Sequence, residues 1–453
     1  MSYNYFKWLC YFVITVVSLN ALQCQNQTDT DGDVLLQDTI ITNDTRIHLK
    51  SGWAFYWKSF ILPGEFEAEQ PSKKVSLESW TNYTIDDHAL PSFGYATYRM
   101  QIDISKNRPA SALYIPRIYA ASKLWINGQF ISETGRIGTS KSEVLHRRFT
   151  QIIPLNTNET HFDIVIHVSN FYHSKAGIAE PLVIGSSHSL NVSKVKTVIA
   201  DMIFIGCLGF IGLFFIIFYT FYWNKDQAVL YFGVLCISLS YMALSDRYAP
   251  LTEIFPEMNW IMLTRLEYLS LFLSGTTASL FFSEIFINFV KKGYRKLTII
   301  ISLSLAIVVL VLPAPYFTKL ILPFFIVMIF NILYVIYVIV KGAVDKRYES
   351  LLLLLSMMFG ASIFCIHIFF FLGRFDSAII YINFGYVVTF LMLSMLLMTR
   401  FSGSFKELER SKAFALKQKN QITLKSDQLA VMNVKLQENL KLLEDSNAEL
   451  EDF

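Results

Sequence analysis

Residues 198–222 read VIADMIFIGCLGFIGLFFIIFYTFY. A run of that length forms a helix able to cross the hydrocarbon core of a bilayer, which needs about 20 residues. Further apolar stretches follow at Ala228–Leu244, Trp260–Phe281, Leu297–Leu312, Leu320–Val340, Leu351–Leu372 and Ala378–Met398. Leu297–Leu312 is short, and Pro313 with Pro315 closes it. An apolar residue favours insertion by about 0.3–0.6 kcal/mol and a central charge opposes it by about 2.5–3.5, so a span tolerates one or two charges. The expectation is a seven-helix transmembrane bundle over residues 196–400.

Composition agrees. Of 453 residues 53% are hydrophobic and only 17% charged, with a mean hydropathy of +0.41, too apolar for an ordinary soluble domain. A net charge of +3 spread over short loops gives nucleic acid no basic patch. Of the five cysteines, Cys10 and Cys24 lie near the start and Cys207, Cys236 and Cys365 in apolar helices. The region between Cys24 and the first span therefore has neither a disulfide framework nor a thiolate zinc site.

Orientation follows from two arguments. Lys7, the apolar Trp8–Val17 and the residues up to Ala21 read as an export signal, assigned to residues 1–23. Lipidation at Cys24, or retention of the segment as an anchor, would leave the next domain outside all the same. The first crossing then runs outside to inside. The inner loops hold Lys225, then Lys291, Lys292, Arg295 and Lys296, then Lys341, Lys346 and Arg347; the outer loops hold Arg247, Lys319 and Arg374. This is the positive-inside asymmetry, and it places everything after Arg400 in the cytoplasm.

Between residues 26 and 190 the period is that of strands. Ala112–Ile118, Lys123–Ile126 and Phe162–Val168 are short β-prone runs. Asn127-Gly128, between Leu124-Trp125-Ile126 and Phe130-Ile131, is a strong two-residue hairpin signal, since both residues tolerate positive φ. Many short strands suggest an all-β sandwich or jelly roll. In Gly52-Trp53-Ala54-Phe55-Tyr56-Trp57 the alternate aromatics share a face, as core or as a stacking platform for a sugar ring.

That aromatic run, with Gly94-Tyr95-Ala96-Thr97-Tyr98-Arg99, Leu124-Trp125-Ile126-Asn127-Gly128 and Val168-Ser169-Asn170-Phe171, resembles the galactose-binding-like jelly roll. The resemblance implies a small-molecule or carbohydrate-like ligand without naming it. Loop and strand-end positions Trp125, Arg117, Tyr119, Arg147 and Asn170 are the candidate contacts. In the bundle, Gly206-Cys207-Leu208-Gly209, Arg265-Leu266-Glu267-Tyr268-Leu269 and Arg400-Phe401-Ser402-Gly403 resemble the bacterial seven-transmembrane receptors with diverse intracellular signalling modules. This implies a multi-pass protein of the bacterial inner membrane, sensing outside and signalling inside. Arg265 and Glu267, near the outer end of the third span, are candidate coupling residues. They lie two apart and so do not face each other; they either snorkel to water at the interface or pair with another helix, with Asp246 or Arg247 the candidates.

Some other classes are disfavoured. Asp246-Arg247-Tyr248 follows the second span, not the inner end of the third, and the last span lacks the lysine a retinal Schiff base needs. No nucleotide or zinc-protease motif occurs, so no catalytic residue, metal or cofactor is expected.

From Phe401 an apolar residue returns every seventh position through Leu408, Ala415, Ile422, Leu429, Leu436, Leu443 and Leu450. Residues 401–453 thus read as a coiled coil, preferably a parallel homodimer, with Asn433 and Asn447 at register-fixing a positions. The run Asn447–Phe453 resembles the segment before the phosphoacceptor box of sensor histidine kinases. The expected output is of that type, in a further module or a separate cytoplasmic partner. The alternative expectation is a carbohydrate-binding protein that the helices merely anchor.

Overall fold

The computed structural model describes residues 42–43, 45–221, 226–245, 248–344, the positions 353, 356, 359, 360, 362 and 363, and 379–451. The export segment, Asp246, Arg247 and most of the expected span Leu351–Leu372 lie outside them. The chain divides into two compact units, one up to Leu391 and one from Met392 to Phe453.

The first unit opens with an antiparallel β-sandwich. One sheet has the order β1 (Arg46–Leu49), β12 (Leu182–Ser186), β7 (Ser111–Ile115), β10 (Gln151–Pro154). The other runs β3 (Lys73–Val75), β2 (Trp53–Trp57), β6 (Gly94–Asp103), β11 (His161–Asn170), β8 (Ala121–Ile126), β9 (Gln129–Thr134). A small hairpin, β4 (Thr84–Ile85) with β5 (His88–Ala89), stands beside them. Alternation does the sorting: Ile164, Ile166 and Val168 of β11 enter the core between the sheets with Leu113, Ile115, Leu182 and Ile184. Trp53 and Phe55 are fully buried in that core, so the aromatic run is packing, with no exposed platform. Asn127 (φ 49°) and Gly128 (φ 78°) form the expected two-residue turn between β8 and β9.

β12 passes straight into α1 (Ser187–Phe221) with no linker. The helix thus starts earlier than its apolar stretch does. Its first turn is pinned to the sheet: Ser189 N–H donates to Ser186 Oγ at 3.1 Å, Arg46 Nε donates to Ser189 Oγ at 3.2 Å, and Leu190 packs on Ala112 and Val183. α2 (Gln227–Ser245), the short α3 (Pro250–Ile254), α4 (Trp260–Ile285), α5 (Lys292–Val311), the short α6 (Ala314–Phe317), α7 (Ile321–Val344) and α8 (Ile379–Glu451) follow.

Among the described residues five segments are long and apolar enough to cross a membrane: Ser187–Phe221, Gln227–Ser245, Lys292–Val311, Ala314–Lys341 and Ile382–Gly403. α4 matches the expected third span in position but is less apolar, because it carries Arg265, Glu267, Glu284 and a series of serines and threonines. Those hydroxyls donate back to backbone carbonyls of their own helix, as Thr277, Ser279 and Ser283 do, so they need no water. α4 packs against α2, α5 and α7, which is why a helix with this many polar groups can sit among the others.

At Gly177 (φ +76°) a Cβ would stand 2.5 Å from the Tyr98 hydroxyl and 3.1 Å from the Trp80 ring. Gly177→Ala should therefore destabilise the sandwich by about 3 kcal/mol, left-handed strain and overpacking together, read as a lowered unfolding midpoint.

Candidate functional site

Three loops of the sandwich reach the bundle, those between β7 and β8, between β9 and β10, and between β11 and β12. Arg117 lies between β7 and β8, and Arg148 between β9 and β10. The second loop is closed on itself: Arg136 and Leu145 exchange both backbone hydrogen bonds, and Arg136 Nε donates to the Glu143 carbonyl at 2.8 Å. Opposite them stands the first half of α4, capped by the Asn259 side chain, which accepts from the Ile261 N–H at 2.8 Å. Trp260, Thr264, Glu267 and Tyr268 recur at helical spacing and so share a face.

Glu267 is the centre of the junction. One carboxylate oxygen lies 2.6 Å from Arg148 Nη1 and the other 3.9 Å from Arg117 Nη2. Arg148 Nη2 also donates to Thr264 Oγ1 at 2.9 Å, and Arg117 Nη1 to the Ser245 carbonyl at the end of α2 at 2.9 Å. Arg117 further donates to the Tyr119 hydroxyl and stacks over that ring. The arginine side chains are 7% and 2% exposed, whereas Glu267 keeps 26%. The guanidinium forks are thus desolvated against a carboxylate that still reaches water, a geometry in which removing either partner strands a buried charge.

Around the ion pair lies a ring of aromatic and imidazole side chains. His146 packs edge-on against Tyr172 and Trp260, and His173 stacks on Tyr119. His173 Nδ1 accepts from the Lys175 N–H at 2.9 Å, which fixes the neutral tautomer with its proton on Nε2. Burial, and then the Arg148 charge, pushes His146 down to about 4 and His173 well below the usual imidazole range. Neither ring nitrogen of His146 has a hydrogen-bond partner among the described residues. A second contact joins Ser174 to the α6–α7 turn: its N–H donates to Thr318 Oγ1 at 3.1 Å and its hydroxyl to the Thr318 carbonyl at 3.0 Å. The same carbonyl accepts from the Tyr268 hydroxyl at 3.0 Å.

The sequence candidates are distributed unevenly about this junction. Arg117, Tyr119 and Glu267 come together in it. Arg265 points elsewhere, donating to the Leu312 carbonyl at 3.3 Å, and Asp246 and Arg247 lie outside the described residues. Arg147 faces the 88% exposed Glu257 at 3.8 Å, a solvated pair worth little. Asn170 is fully buried, donating to the Ser92 and His173 carbonyls and accepting from the His173 N–H, so its amide is engaged by backbone. Trp125 is remote, against His167 and Phe130 on the outer face of the larger sheet. Arg148, His146, His173, Trp260 and Thr318 carried no sequence signal, for they sit in loops or read as ordinary helix residues.

A family model described as 7TM diverse intracellular signalling covers the helical segment. Residues 198–400 match that family. The chain is accordingly a multi-pass membrane protein, and Glu267 lies within the residues that match that family. No curated protein matches the chain. Solved structures similar to the sandwich include a glycosyl hydrolase family 2 member from Bacteroides cellulosilyticus DSM 14838 (15% identity, TM-score 0.24, 31% of this chain and 20% of that one). Others are β-glucuronidases of Faecalibacterium prausnitzii (13%, 0.23, 31% and 31%) and Ruminococcus gnavus (12%, 0.24, 33% and 30%). The chain spans only about a fifth to a third of the length of these structures.

Arg148→Met and Glu267→Gln should each lower the stability of the full-length protein in detergent by about 2–3 kcal/mol, the low end for a buried pair because Glu267 keeps water. The double variant should cost less than the sum, with a coupling of about 1–3 kcal/mol in the thermodynamic cycle.

The histidines make a separate, pH-dependent prediction. A folded-state pKa below the unfolded value means that the unfolded chain binds more protons, so stability is complete above about 6.5 and is lost as pH falls toward 4. His146→Phe, which keeps the ring packing, should remove about 3 kcal/mol of that loss. Thermal unfolding across this range checks it.

Proposed function

We propose that the protein is a transmembrane signalling receptor whose β-sandwich is the sensor and whose α8 carries the output. The observation that carries this reading is the grip of two sandwich arginines on Glu267, one side chain of a bundle helix. A ligand that moves the Arg117 or Arg148 loop must move α4, or break a desolvated ion pair.

A route onward is built into the same unit. α1, continuous with β12, meets α8 where Asn383 Nδ2 donates to Asp201 Oδ1 at 2.8 Å, and one turn further on Phe204 packs on Tyr386. Both polar partners are buried, where such a pair acts as a fixed point between helices.

The finer parts of the reading extend the sequence expectations. The ligand is a small molecule or carbohydrate-like compound bound outside the inner membrane of a bacterium. Arg117, which reaches Ser245 and Glu267, and Tyr119, over whose ring it stacks, are the preferred contacts. In the second unit Ile422, Leu429, Leu436 and Leu443 are 57–68% exposed along one helix. A second copy covering them as a parallel coiled coil, with Asn433 and Asn447 in the seam, accounts for that face. The output is then a histidine-kinase-type module or partner on the cytoplasmic side. A carbohydrate-binding protein merely anchored in the membrane is the second reading, and it leaves the buried Arg148–Glu267 pair without a task.

Thermal shift and hydrogen exchange on the full-length protein, against a panel of sugars and cell-wall fragments, separate the two. A receptor should show a ligand that raises the melting temperature with occupancy and alters exchange in residues 379–400. Glu267→Gln should keep the binding and lose the exchange change. Binding with no response in α8 would leave the anchored reading.

A further inference from the structure

Two imidazoles are shut into the junction between sandwich and α4. His146 comes from the β9–β10 loop and His173 from the β11–β12 loop, and both are buried. His146 meets Tyr172 of the β11–β12 loop and Trp260 of α4, and lies beside Arg148 of its own loop. His173 stacks on Tyr119 of the β7–β8 loop, faces Trp260 edge-on, and lies in the field of Arg148, Lys175 and Arg117. Lys141 covers the Tyr172 ring at 5.3 Å. Among the described residues no carboxylate touches either imidazole: Glu267 lies beyond Arg148, and Glu257 is turned to Arg147. A proton arriving on either ring therefore meets like charge.

The closed junction also leaves polar atoms unsatisfied. Both ring nitrogens of His146, Nε of Arg148 and the indole Nε1 of Trp260 are sealed from water with no hydrogen-bond partner among the described residues. Each costs free energy that opening to water returns. His173 differs, since its Nδ1 accepts from the Lys175 N–H. That lone pair is where a proton would go, and protonation sets one N–H against another. The same loop grips Thr318 through Ser174, so a charged His173 loosens this contact as a charged His146 loosens the one beside Arg148. Opposing both is the grip of Arg148 on Glu267 and Thr264.

We infer that the junction is an acid-released latch: protons taken up by His146 and His173 part the sandwich loops from the first half of α4 while the sandwich itself stays folded. Closure lowers the proton affinity of both rings, so the latch is shut above about pH 6.5 and its open population rises as pH falls toward 4. The separation is local because these charges and unsatisfied atoms lie at the contact surface, whereas the interior between the sheets holds aliphatic and aromatic side chains. A third buried imidazole, His167, sits on the outer face of the larger sheet, and its Nε2–H bond to the Ile61 carbonyl survives protonation. The latch follows from the junction alone; that its opening carries a signal rests on the receptor reading.

The test is slow hydroxyl-radical oxidation of the full-length protein in nanodiscs from about pH 7.5 to about pH 4.5, a range that brackets imidazole titration. Oxidation is read at each tryptophan by mass spectrometry and normalised to free tryptophan at the same pH, and its rate follows the open population. Trp260, 6% exposed, reports the junction, while Trp53 and Trp80, both fully buried in the sandwich, report its folding. The expected result is Trp260 oxidation that rises in acid, by about tenfold per pH unit for each ring that titrates, with Trp53 and Trp80 still protected. His146→Phe keeps the ring packing and His173→Asn keeps an acceptor for the Lys175 N–H; each should remove one of these factors, and the double variant both. Trp260 protection unchanged to the acid end of the range would overturn the latch. So would a parallel rise at all three tryptophans, which is unfolding, or an undiminished slope in the double variant. Protection of Trp53 at neutral pH establishes that a variant is folded, and the comparison of the three tryptophans in the unmodified protein decides the matter without any variant.

Discussion

A carboxylate near the end of a membrane helix can avoid desolvation by reaching water or by finding a cation. Glu267 does both in part, and the arrangement of the first unit follows from the cation it finds. Arg148 is buried more deeply than the acid it serves, so its charge is tolerable only while Glu267 and Thr264 stay in place. The β9–β10 loop that carries it closes through the Arg136–Leu145 bridge, which limits how far the guanidinium can follow a moving helix. Sandwich and bundle are held in register by a contact too costly to break and too short to stretch.

The surrounding side chains sharpen that constraint. His146, His173, Tyr172 and Trp260 exclude water from the guanidiniums while adding no anion of their own. Water exclusion strengthens the ion pair and also keeps the imidazoles neutral. A proton entering the ring would place a third positive group beside Arg148. The Thr318 turn gives the junction a second foot, on α6 and α7, so the sandwich rests on more than one helix pair.

How much of this could be read from the chain differs by element. The Asn127-Gly128 turn, the alternation of β11 and the run starting at Val198 are local signals, and local physics was enough to place them. That Glu267 must find water or a cation also follows from its position, because hydrocarbon offers neither. The identity of the partner does not follow: Arg148 sits in a loop without periodicity, and its neighbour Arg147 looks the same in sequence while ending in solvent. The early start of α1 was hidden too, since Ser187–Lys196 is polar and becomes helical by packing on the sheet.

The join at Ser186 and Ser187 has a thermodynamic meaning of its own. A sensor hung on a flexible tether samples many orientations, and a ligand must first restrict them before any of its binding free energy can bias the helices. Here the strand becomes the helix within one peptide bond, and Arg46 and Ser189 lock the corner. That orientational entropy is already gone before a ligand arrives. In the receptor we propose, differential affinity at the sandwich would reach the first membrane helix undiluted, and weak ligands would suffice.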